Sequence, residues 1–264
     1  MRRSAWLVAF VLLAALPPRA IAADPGVELA GHRALYKLTL ASSRGQISAA
    51  SGTMAFEMTD ACDGWATRQR LRITATNNER QDLEIGSDYA TYEAKDGLSL
   101  RFTMRQTTEQ AVSVETEGTA SLPSPGAAGE ALYQRPAESR KALPAGTMLP
   151  NMHTIAVIEA ARAGKKFLAI PLFDGTSAEG AQDTSVAIFS WDGPREHKFP
   201  ALAALASARL RIAFFDRDKG TTTPDYEIGM RYYANGVADD MSMDFGDFVM
   251  HASLQELSLL PKSC

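Results

Sequence analysis

Alternation of apolar and polar residues with a period of two constrains this chain more than any other feature. In the longest example, Trp65, Leu71 and Ile73 share one side of an extended backbone, and Arg68 and Arg70 lie on the other. The same period recurs at Tyr36–Leu40, Met54–Met58, Leu98–Met104, Val112–Val114, Val186–Ser190 and Leu210–Phe214. Many short alternating segments predict a mostly β chain folded as one large antiparallel barrel or curved sheet.

Two local signals refine this prediction. Asn235-Gly236 separates two alternating runs and predicts a hairpin with a type I′ turn, followed by a last strand over HASLQELSLL. The spacing over about 149–163 predicts an α-helix instead, because Pro150 marks a start and Gly164 a C-terminal cap. A second, shorter helix is predicted over Leu202–Ala208.

The first residues have the pattern of an export signal. Arg2 and Arg3 precede an apolar run over Leu7–Leu16, which is too short to span a bilayer as a helix. Pro17 and small residues before a cut near Ala22 complete the pattern. We expect a signal peptide over 1–22 and a single periplasmic domain over 23–264, and the alternative is an uncleaved anchor.

The charge balance weighs against two classes of partner. Loss of Arg2, Arg3 and Arg19 with the signal lowers the Lys+Arg count from 27 to 24 against 31 acidic residues, a formal net charge of −7. Nucleic acids and anionic lipid surfaces attract basic proteins. The mature chain is therefore expected to bind no nucleic acid, and no segment after the signal is long and apolar enough to predict a membrane-spanning helix.

The two cysteines are Cys62 and Cys264. An exported chain meets an oxidising compartment, so one disulfide between them is favoured over two free thiols or an intermolecular bridge. A redox-active pair would have the CxxC spacing. The sequence thus predicts a structural bond that joins an early turn, next to Trp65, to the end of the chain.

Motifs for catalysis, cofactors or metals are absent from the sequence. There is no GxSxG, HExxH, GxxxxGK[ST] or CxxC motif, and the four histidines lack metal-ligand spacing. His153 is the exception of interest, because the first turn of a helix can bind an anion, although a packing role is the default. We therefore predict a protein that is not an enzyme and carries no cofactor and no metal.

Two polar segments are candidate binding regions. ADDMSMDFGDF holds four acidic residues, including Asp244 and Asp247, yet a solvated strand face explains them without calcium. The Gly-rich loop Phe173–Asp183 begins with Phe173, Asp174 and Gly175 and could border a site.

Methionines recur in or beside the predicted strands. They are Met54, Met58, Met104, Met230, Met241 and Met243. Methionine adapts to irregular apolar surfaces, so a groove for a lipid or a lipoprotein is an alternative to plain core packing.

Several landmarks together resemble a known family. They are HRALYKLTL, SGTMAFEMTDACDGWATRQR, LPAGTMLPNMHT, PLFDG and MDFGDFVMHASLQELSLL, followed by the terminal cysteine. The resemblance is to the EipB family of alphaproteobacterial periplasmic proteins and covers about Val27 to Cys264.

The resemblance implies a spiral-like, open β-barrel of antiparallel strands with a packed helix, and a disulfide between the positions of Cys62 and Cys264. It also implies a role in cell-envelope integrity without an established catalytic activity, and a periplasmic tetratricopeptide-repeat protein as partner. Lipoprotein carriers of the LolA and LolB kind have similar curved sheets, which is an analogy of fold alone.

Three hypotheses follow, in this order. The first is a non-enzymatic, disulfide-stapled scaffold that supports envelope integrity by binding a protein or an envelope component. The second is a carrier of lipid or lipoprotein. The third is an envelope hydrolase that uses His153 or the pair Asp244 and Asp247.

Overall fold

The computed structural model describes residues 26–217, 220 and 222–262. Its elements are β1 (His32–Ser43), β2 (Ile47–Asp60), β3 (Gly64–Asn77), β4 (Asp82–Ala94), β5 (Ser99–Thr108), β6 (Ala111–Ser121), β7 (Gly129–Arg135), β8 (Ser139–Leu143), α1 (Pro150–Arg162), β9 (Phe167–Leu172), β10 (Gln182–Asp192), α2 (Pro200–Ala203), β11 (Ser207–Asp216), β12 (Tyr226–Tyr233), β13 (Ala238–Asp244) and β14 (Phe248–Leu259). The expected signal peptide over 1–22 lies outside the described residues.

All the strands belong to one antiparallel, open sheet in the order β8-β7-β6-β5-β4-β3-β2-β1-β14-β13-β12-β11-β10-β9. Strands β1 to β8 form one half, and β9 to β14 form the other. The pairing of β1 with β14 joins the halves, so the two ends of the described chain meet at the centre of the sheet. The middle of the chain, including α1, connects the two edges.

The predicted alternation is confirmed in β1, β2, β3, β5, β10 and β11, but it is wrong at Val112 of β6, which is 48% exposed beside a register shift between β5 and β6. Tyr36 and Leu38 in β1 are buried, as are Leu71 and Ile73 in β3, whereas Arg70 and its outward neighbours are exposed. The buried side chains pack on the inner face, where Val157 and Ala161 of α1 join the main core cluster. Burial of this apolar face stabilises the curved sheet.

Helix α1 confirms the helix predicted over 149–163. Pro150 is in its first turn, and Gly164 has φ +75° after the C-cap residue Ala163. The N–H of Lys165 donates to the carbonyl of Ala160 over 2.9 Å, and that of Gly164 to Ala161 over 3.0 Å. These two bonds form a Schellman motif, which is why the helix ends here.

Two local predictions need correction. The second helix spans Pro200–Ala203 rather than 202–208, because Ser207 and Ala208 already pair with β12. The hairpin at Asn235-Gly236 is confirmed, but its turn is not type I′. Of the two residues, Gly236 alone has a positive φ, of +84°, and its N–H donates to the carbonyl of Tyr233 over 2.9 Å. This is the geometry of a longer loop that ends in a glycine bulge.

Within the part of the chain that the structure describes, no helix combines the length and the apolar character that crossing a bilayer requires.

Candidate functional site

The inner face of the sheet borders a partly open cavity of about 330 Å³, between β1–β4, β11–β13 and the first turn of α1. Five buried methionines contribute to its wall: Met54, Met58, Met230, Met241 and Met243. All five belong to the six that the sequence marked. Unbranched thioether side chains can repack around ligands of different shape, so this lining suits binding as well as packing.

Strands β3 and β4 contribute several polar side chains to the cavity. Thr67, Gln69 and Tyr89 all contribute to the wall, which contains no Lys or Arg among the described residues. The Tyr89 hydroxyl donates to the carbonyl of Asp174 over 2.6 Å. The Oγ1 of Thr67 is buried and has no hydrogen-bond partner among those residues.

Glu93 holds the first turn of α1 against the sheet. Its fully buried carboxylate accepts the N–H of Asn151 over 2.7 Å and the N–H of Met152 over 3.0 Å. The N-cap residue Leu149 makes no side-chain cap, so Glu93 supplies the cap from a distant strand. Burial raises the pKa of Glu93 to about 7, although the two backbone N–H groups lower it in part.

No sequence motif marks Glu93 as a functional residue. The period of two could have predicted that Glu93 faces inward, since Thr91 and Glu93 are alternate residues of β4 and are both buried. A carboxylate at a position that faces a core must find hydrogen-bond donors. The identity of those donors depends on contacts between distant segments.

His153 lies in the first turn of α1, as predicted, but contacts a hydroxyl instead of an anion. Its Nε2 is 2.9 Å from Oγ1 of Thr184, whose hydroxyl donates to the carbonyl of Ile170 over 2.7 Å. Burial lowers the pKa of His153 to about 4, so the ring is neutral near pH 7. Glu93 occupies the N–H groups that an anion would have used.

The segment Phe173–Gly175 closes one side of the interior. Phe173 is fully buried and packs edge-to-face on Phe102 with 5.4 Å between ring centroids. The Asp174 carboxylate accepts the N–H and the hydroxyl of Thr176 over 2.9 and 2.8 Å, and burial raises its pKa. Gly175 has φ +75°, and a Cβ there would lie 2.3 Å from the ring of Phe102. Asp174 lines the cavity, whereas Phe173 and Gly175 belong to the packing behind it.

The other predicted residues lie elsewhere. Trp65 is in a separate core cluster with Met58 and Ile158, with the Lys95 ammonium 5.9 Å from its ring centroid. Asp244 pairs with Arg44 over 2.8 Å, on the outer side of β13. The structure places Asp247 next to Gly45, also away from the cavity. No cluster of metal-ligating side chains occurs among the residues that the structure describes.

Cys62 lies in the turn between β2 and β3, with φ +70°, and its N–H donates to the Asp60 carboxylate over 2.9 Å. Cys264 lies outside the described residues. The last described residues come close to this turn, because a Cβ on Gly31 would be 3.5 Å from Leu260 Cβ and 3.6 Å from the Asp60 nitrogen. The pairing of the two cysteines remains a prediction.

The opposite face of the sheet carries a second concavity, of about 700 Å³, which we call the outer-face groove. It crosses β14 and β1–β7, and its charged side chains form two outward rows, while Phe56, Gln69 and Tyr89 contribute both to this groove and to the wall of the inner cavity. In register, one row contains Arg33, Glu57, Arg68, Thr103, Glu117 and Arg135, and the next contains Glu256, Arg70, Asp88, Arg105 and Glu115. Opposite charges thus alternate across neighbouring strands.

Two arginines of this groove are available for a partner. Asp88 accepts from Arg70 over 2.8 Å and from Arg72 over 2.7 Å, and Arg135 pairs with Glu115 over 2.8 Å. Arg68 and Arg105 are exposed and form no ion pair with any described residue. An arginine without a partner keeps its fork of N–H donors free for a carboxylate.

Fold and concavities together define a class: an open, spiral-like antiparallel β sheet with an apolar interior and a charged outer groove. The sequence profile of the EipB-like family matches residues 23–261, and the chain therefore belongs to that family.

Two matches to known proteins agree with this assignment. The chain is 29% identical over 250 residues to the cell envelope integrity protein EipB of Brucella abortus (strain 2308), which covers 91% of this chain and 88% of that protein. It also matches the crystal structure of a β-barrel-like protein of a domain of unknown function from Brucella abortus, with a TM-score of 0.80 and 29% identity. That match covers 89% of this chain and 100% of the solved chain.

Proposed function

We propose that this chain is a non-enzymatic periplasmic protein that supports cell-envelope integrity as a scaffold for a protein partner. The name of the Brucella relative and the family assignment support the envelope role. The expected export signal supports the periplasmic location. The observation that carries partner binding is the outer-face groove, with Arg68 and Arg105 unpaired.

The geometry of the groove favours a protein with acidic side chains. Arg68 and Arg105 are two strands apart and in adjacent rows, so their attachment points are roughly 12 Å apart on a regular sheet. A folded surface with two carboxylates can span that distance and pair with both. The tetratricopeptide-repeat partner that the family resemblance implies would dock here.

Charge reversal tests this proposal. In a strain that lacks the gene, Arg68→Glu/Arg105→Glu should fail to restore resistance to detergents and cell-wall antibiotics, because the partner's carboxylates would meet like charges. A photo-crosslinking side chain at Thr103, between the two arginines, should trap the partner in the wild-type background and lose it in the double variant.

Arg80 supplies the matched control, because it is exposed in the turn between β3 and β4, outside the groove. Arg80→Glu makes the same change of charge and should leave both readouts intact. Full rescue by the folded Arg68→Glu/Arg105→Glu protein would refute the groove as the docking surface.

A second candidate function is the carriage of an apolar envelope molecule, which the methionine-lined cavity favours. A volume of about 330 Å³ is near the lower end of the ~300–1,000 Å³ typical of small-molecule pockets. The size favours a single chain over the several chains of a lipoprotein anchor. Native mass spectrometry of protein from its own periplasm should then show a bound small molecule.

The hydrolase alternative gains no support from the described residues. His153 is engaged with Thr184, and Asp244 is paired with Arg44 on the other side of the sheet. The hydroxyl beside His153, that of Thr184, is buried and donates to the carbonyl of Ile170, so it is not presented to a substrate as a nucleophile. Substitution of His153, Asp244 and Asp247 one at a time should leave envelope function intact.

The disulfide between Cys62 and Cys264 forms the staple of this scaffold. Supporting it, Lys262 lies close enough to influence the Asp60 carboxylate, two residues before Cys62. Cys264 is two residues further along the sequence. Such a bond would tie the end of β14 to the turn after β2 and keep the centre of the sheet paired.

A further inference from the structure

The inner cavity differs from an ordinary imperfectly packed core in the chemistry of its wall. It is partly open and measures about 330 Å³, whereas the voids inside a packed core are rarely larger than a water molecule. Its wall combines five methionines with Phe56, Phe214 and Tyr226. Flexible thioethers and aromatic faces together suit an elongated apolar guest.

The charges around the cavity select against ionic guests. The described wall contains no Lys or Arg to pair with a carboxylate or a phosphate. Its histidines are no substitute, since burial lowers the pKa of both His32 and His153 and keeps the rings neutral near pH 7. An anion would lose its hydration without gaining a counter-charge, which is costly.

A cation is disfavoured for a related reason. The acid of the wall is Asp174, whose carboxylate already accepts two hydrogen bonds from Thr176, and whose pKa is raised by burial. The hydrogen bonds occupy its oxygens and the raised pKa disfavours its negative charge, so Asp174 would attract an ammonium group only weakly. The molecule that fits the wall best is therefore uncharged.

One polar atom of the wall points to the orientation of the guest. Thr67 is 8% exposed, and its Oγ1, like Nδ2 of Asn151 in the same wall, has no hydrogen-bond partner among the described residues. In register Thr67 lies between Met58 of β2 and Thr91 of β4, both of which line the cavity. A buried hydroxyl without a partner is destabilising, and an oxygen of a ligand would satisfy it.

We propose that the cavity binds a neutral, single-chain amphipathic molecule, such as a long-chain alcohol, ketone or ester, with its oxygen hydrogen-bonded to Thr67 and its chain among the methionines. This deepens the second candidate function and is independent of the outer-face groove. If the groove variants refuted the outer-face groove as the docking surface, the proposal for the cavity would still stand. If no probe bound in the cavity, the proposal for the groove would still stand.

Binding to the purified mature protein tests the proposal with four probes of equal chain length: 1-decanol, decanoate, decyltrimethylammonium and decane. Isothermal calorimetry below the micelle concentrations should show 1-decanol binding at one site and raising the melting temperature. Decanoate and the ammonium compound should bind at least about tenfold more weakly, because each buries an unpaired charge.

Thr67→Val tests the orientation, since valine has nearly the same shape without the hydroxyl. It should weaken 1-decanol binding by about threefold to tenfold, the range expected for one hydrogen bond, and leave decane binding unchanged. Thr53→Val, on the exposed outer side of β2, is the matched control and should change neither.

Three results would overturn the proposal. They are the absence of any 1-decanol binding, decanoate binding as tightly as 1-decanol, and equal loss of 1-decanol and decane binding in Thr67→Val. A melting curve of each variant without probe shows that it is folded, so that a loss of binding is assigned to the site.

Discussion

The two faces of β3 show how one strand serves two purposes. Trp65, Leu71 and Ile73 point inward and are 3–8% exposed. Arg70 and Arg72 point outward, where their side chains are 70% and 48% exposed. The inner side chains pack in the hydrophobic core, and the outer side chains present charged groups to a molecule that binds in the groove.

The two faces contribute unequally to stability. Burying a large apolar side chain stabilises a fold by roughly 1.5–3 kcal/mol, whereas an exposed ion pair contributes about 0–1 kcal/mol. We therefore expect substitutions on the inner face to unfold the protein and those on the outer face to alter recognition alone.

The largest effect is expected for Phe102→Ala in β5. Phe102 is 2% exposed and packs edge-to-face on Tyr133 and Phe173, each with 5.4 Å between ring centroids. Removing the ring leaves a void beside Tyr133 and Phe173 and should cost about 3–5 kcal/mol of unfolding free energy, measured by urea denaturation. Thr103→Ala, on the outer side of the same strand, should cost about 0.5 kcal/mol or less. Equal effects would contradict the division between the faces.

The predicted disulfide comes next in size. If Cys62 and Cys264 are joined, Cys62→Ser should lower the unfolding free energy by about 2–5 kcal/mol, because the bond restricts the unfolded chain. Peptide mass mapping without reductant should find the two cysteines in one cross-linked fragment. Free thiols in the exported protein, or equal stability of Cys62→Ser and wild type, would contradict the pairing.

Glu93 should make stability depend on pH. Burial raises its pKa to about 7 from an ordinary value of 4.5, so the folded protein keeps a proton that the unfolded chain has released. The stability that Glu93 contributes is complete below pH 4.5, the ordinary pKa of the unfolded chain. It is lost as the pH rises to about 7, the pKa in the folded protein. The unfolding free energy should fall by about 2–3 kcal/mol over that interval, relative to Glu93→Gln.

The comparison with Glu93→Gln is needed because His153 acts in the opposite direction. Its pKa is lowered to about 4 from 6.5, so its contribution is present above the ordinary value and is lost as the pH falls. The two slopes partly cancel in the wild-type protein. The difference in unfolding free energy between wild type and Glu93→Gln, measured from pH 4 to pH 8, isolates the carboxylate. A difference that does not change with pH would refute the assigned pKa.

The alternation allowed the sequence to predict which side chains of β1, β3 and β5 face the core, and the Pro and Gly signals located α1. Contacts between distant segments could not be predicted in the same way. The cap of α1 by Glu93 requires β4 to lie beside a helix more than 50 residues later. The outer groove requires eight neighbouring strands in register, whereas a period of two predicts which side chains of a strand share a face but not which strands are its neighbours.

The limits of local patterns also explain the corrected helix. Leu202–Ala208 has an apolar composition that suits a short helix, but Ser207 pairs with Tyr233, and its hydroxyl lies 3.0 Å from Arg231 Nη1. Pairing within the sheet outweighs the weak helix preference of a short segment.

The smallest effect on stability is expected for Asp88→Asn, which tests the outer face most directly. Burial alone would raise the pKa of Asp88, but the hydrogen bonds from Arg70 and Arg72 outweigh it and hold the pKa below its ordinary value. The side chain is nonetheless 47% exposed, so solvent screens the pairs. The loss should be about 0–1 kcal/mol and should shrink further in high salt.

The same substitution should have a larger effect on the groove than on the fold. Without the carboxylate, Arg70 and Arg72 join Arg68 and Arg105 as unpaired cations, which raises the positive potential toward an acidic partner. Crosslinking at Thr103 should therefore become stronger and more sensitive to salt, while the melting temperature hardly changes. If Asp88→Asn instead lowered stability as much as Phe102→Ala, the outer ion pairs would belong to the framework of the fold, and the groove would no longer be a surface free to recognise a partner.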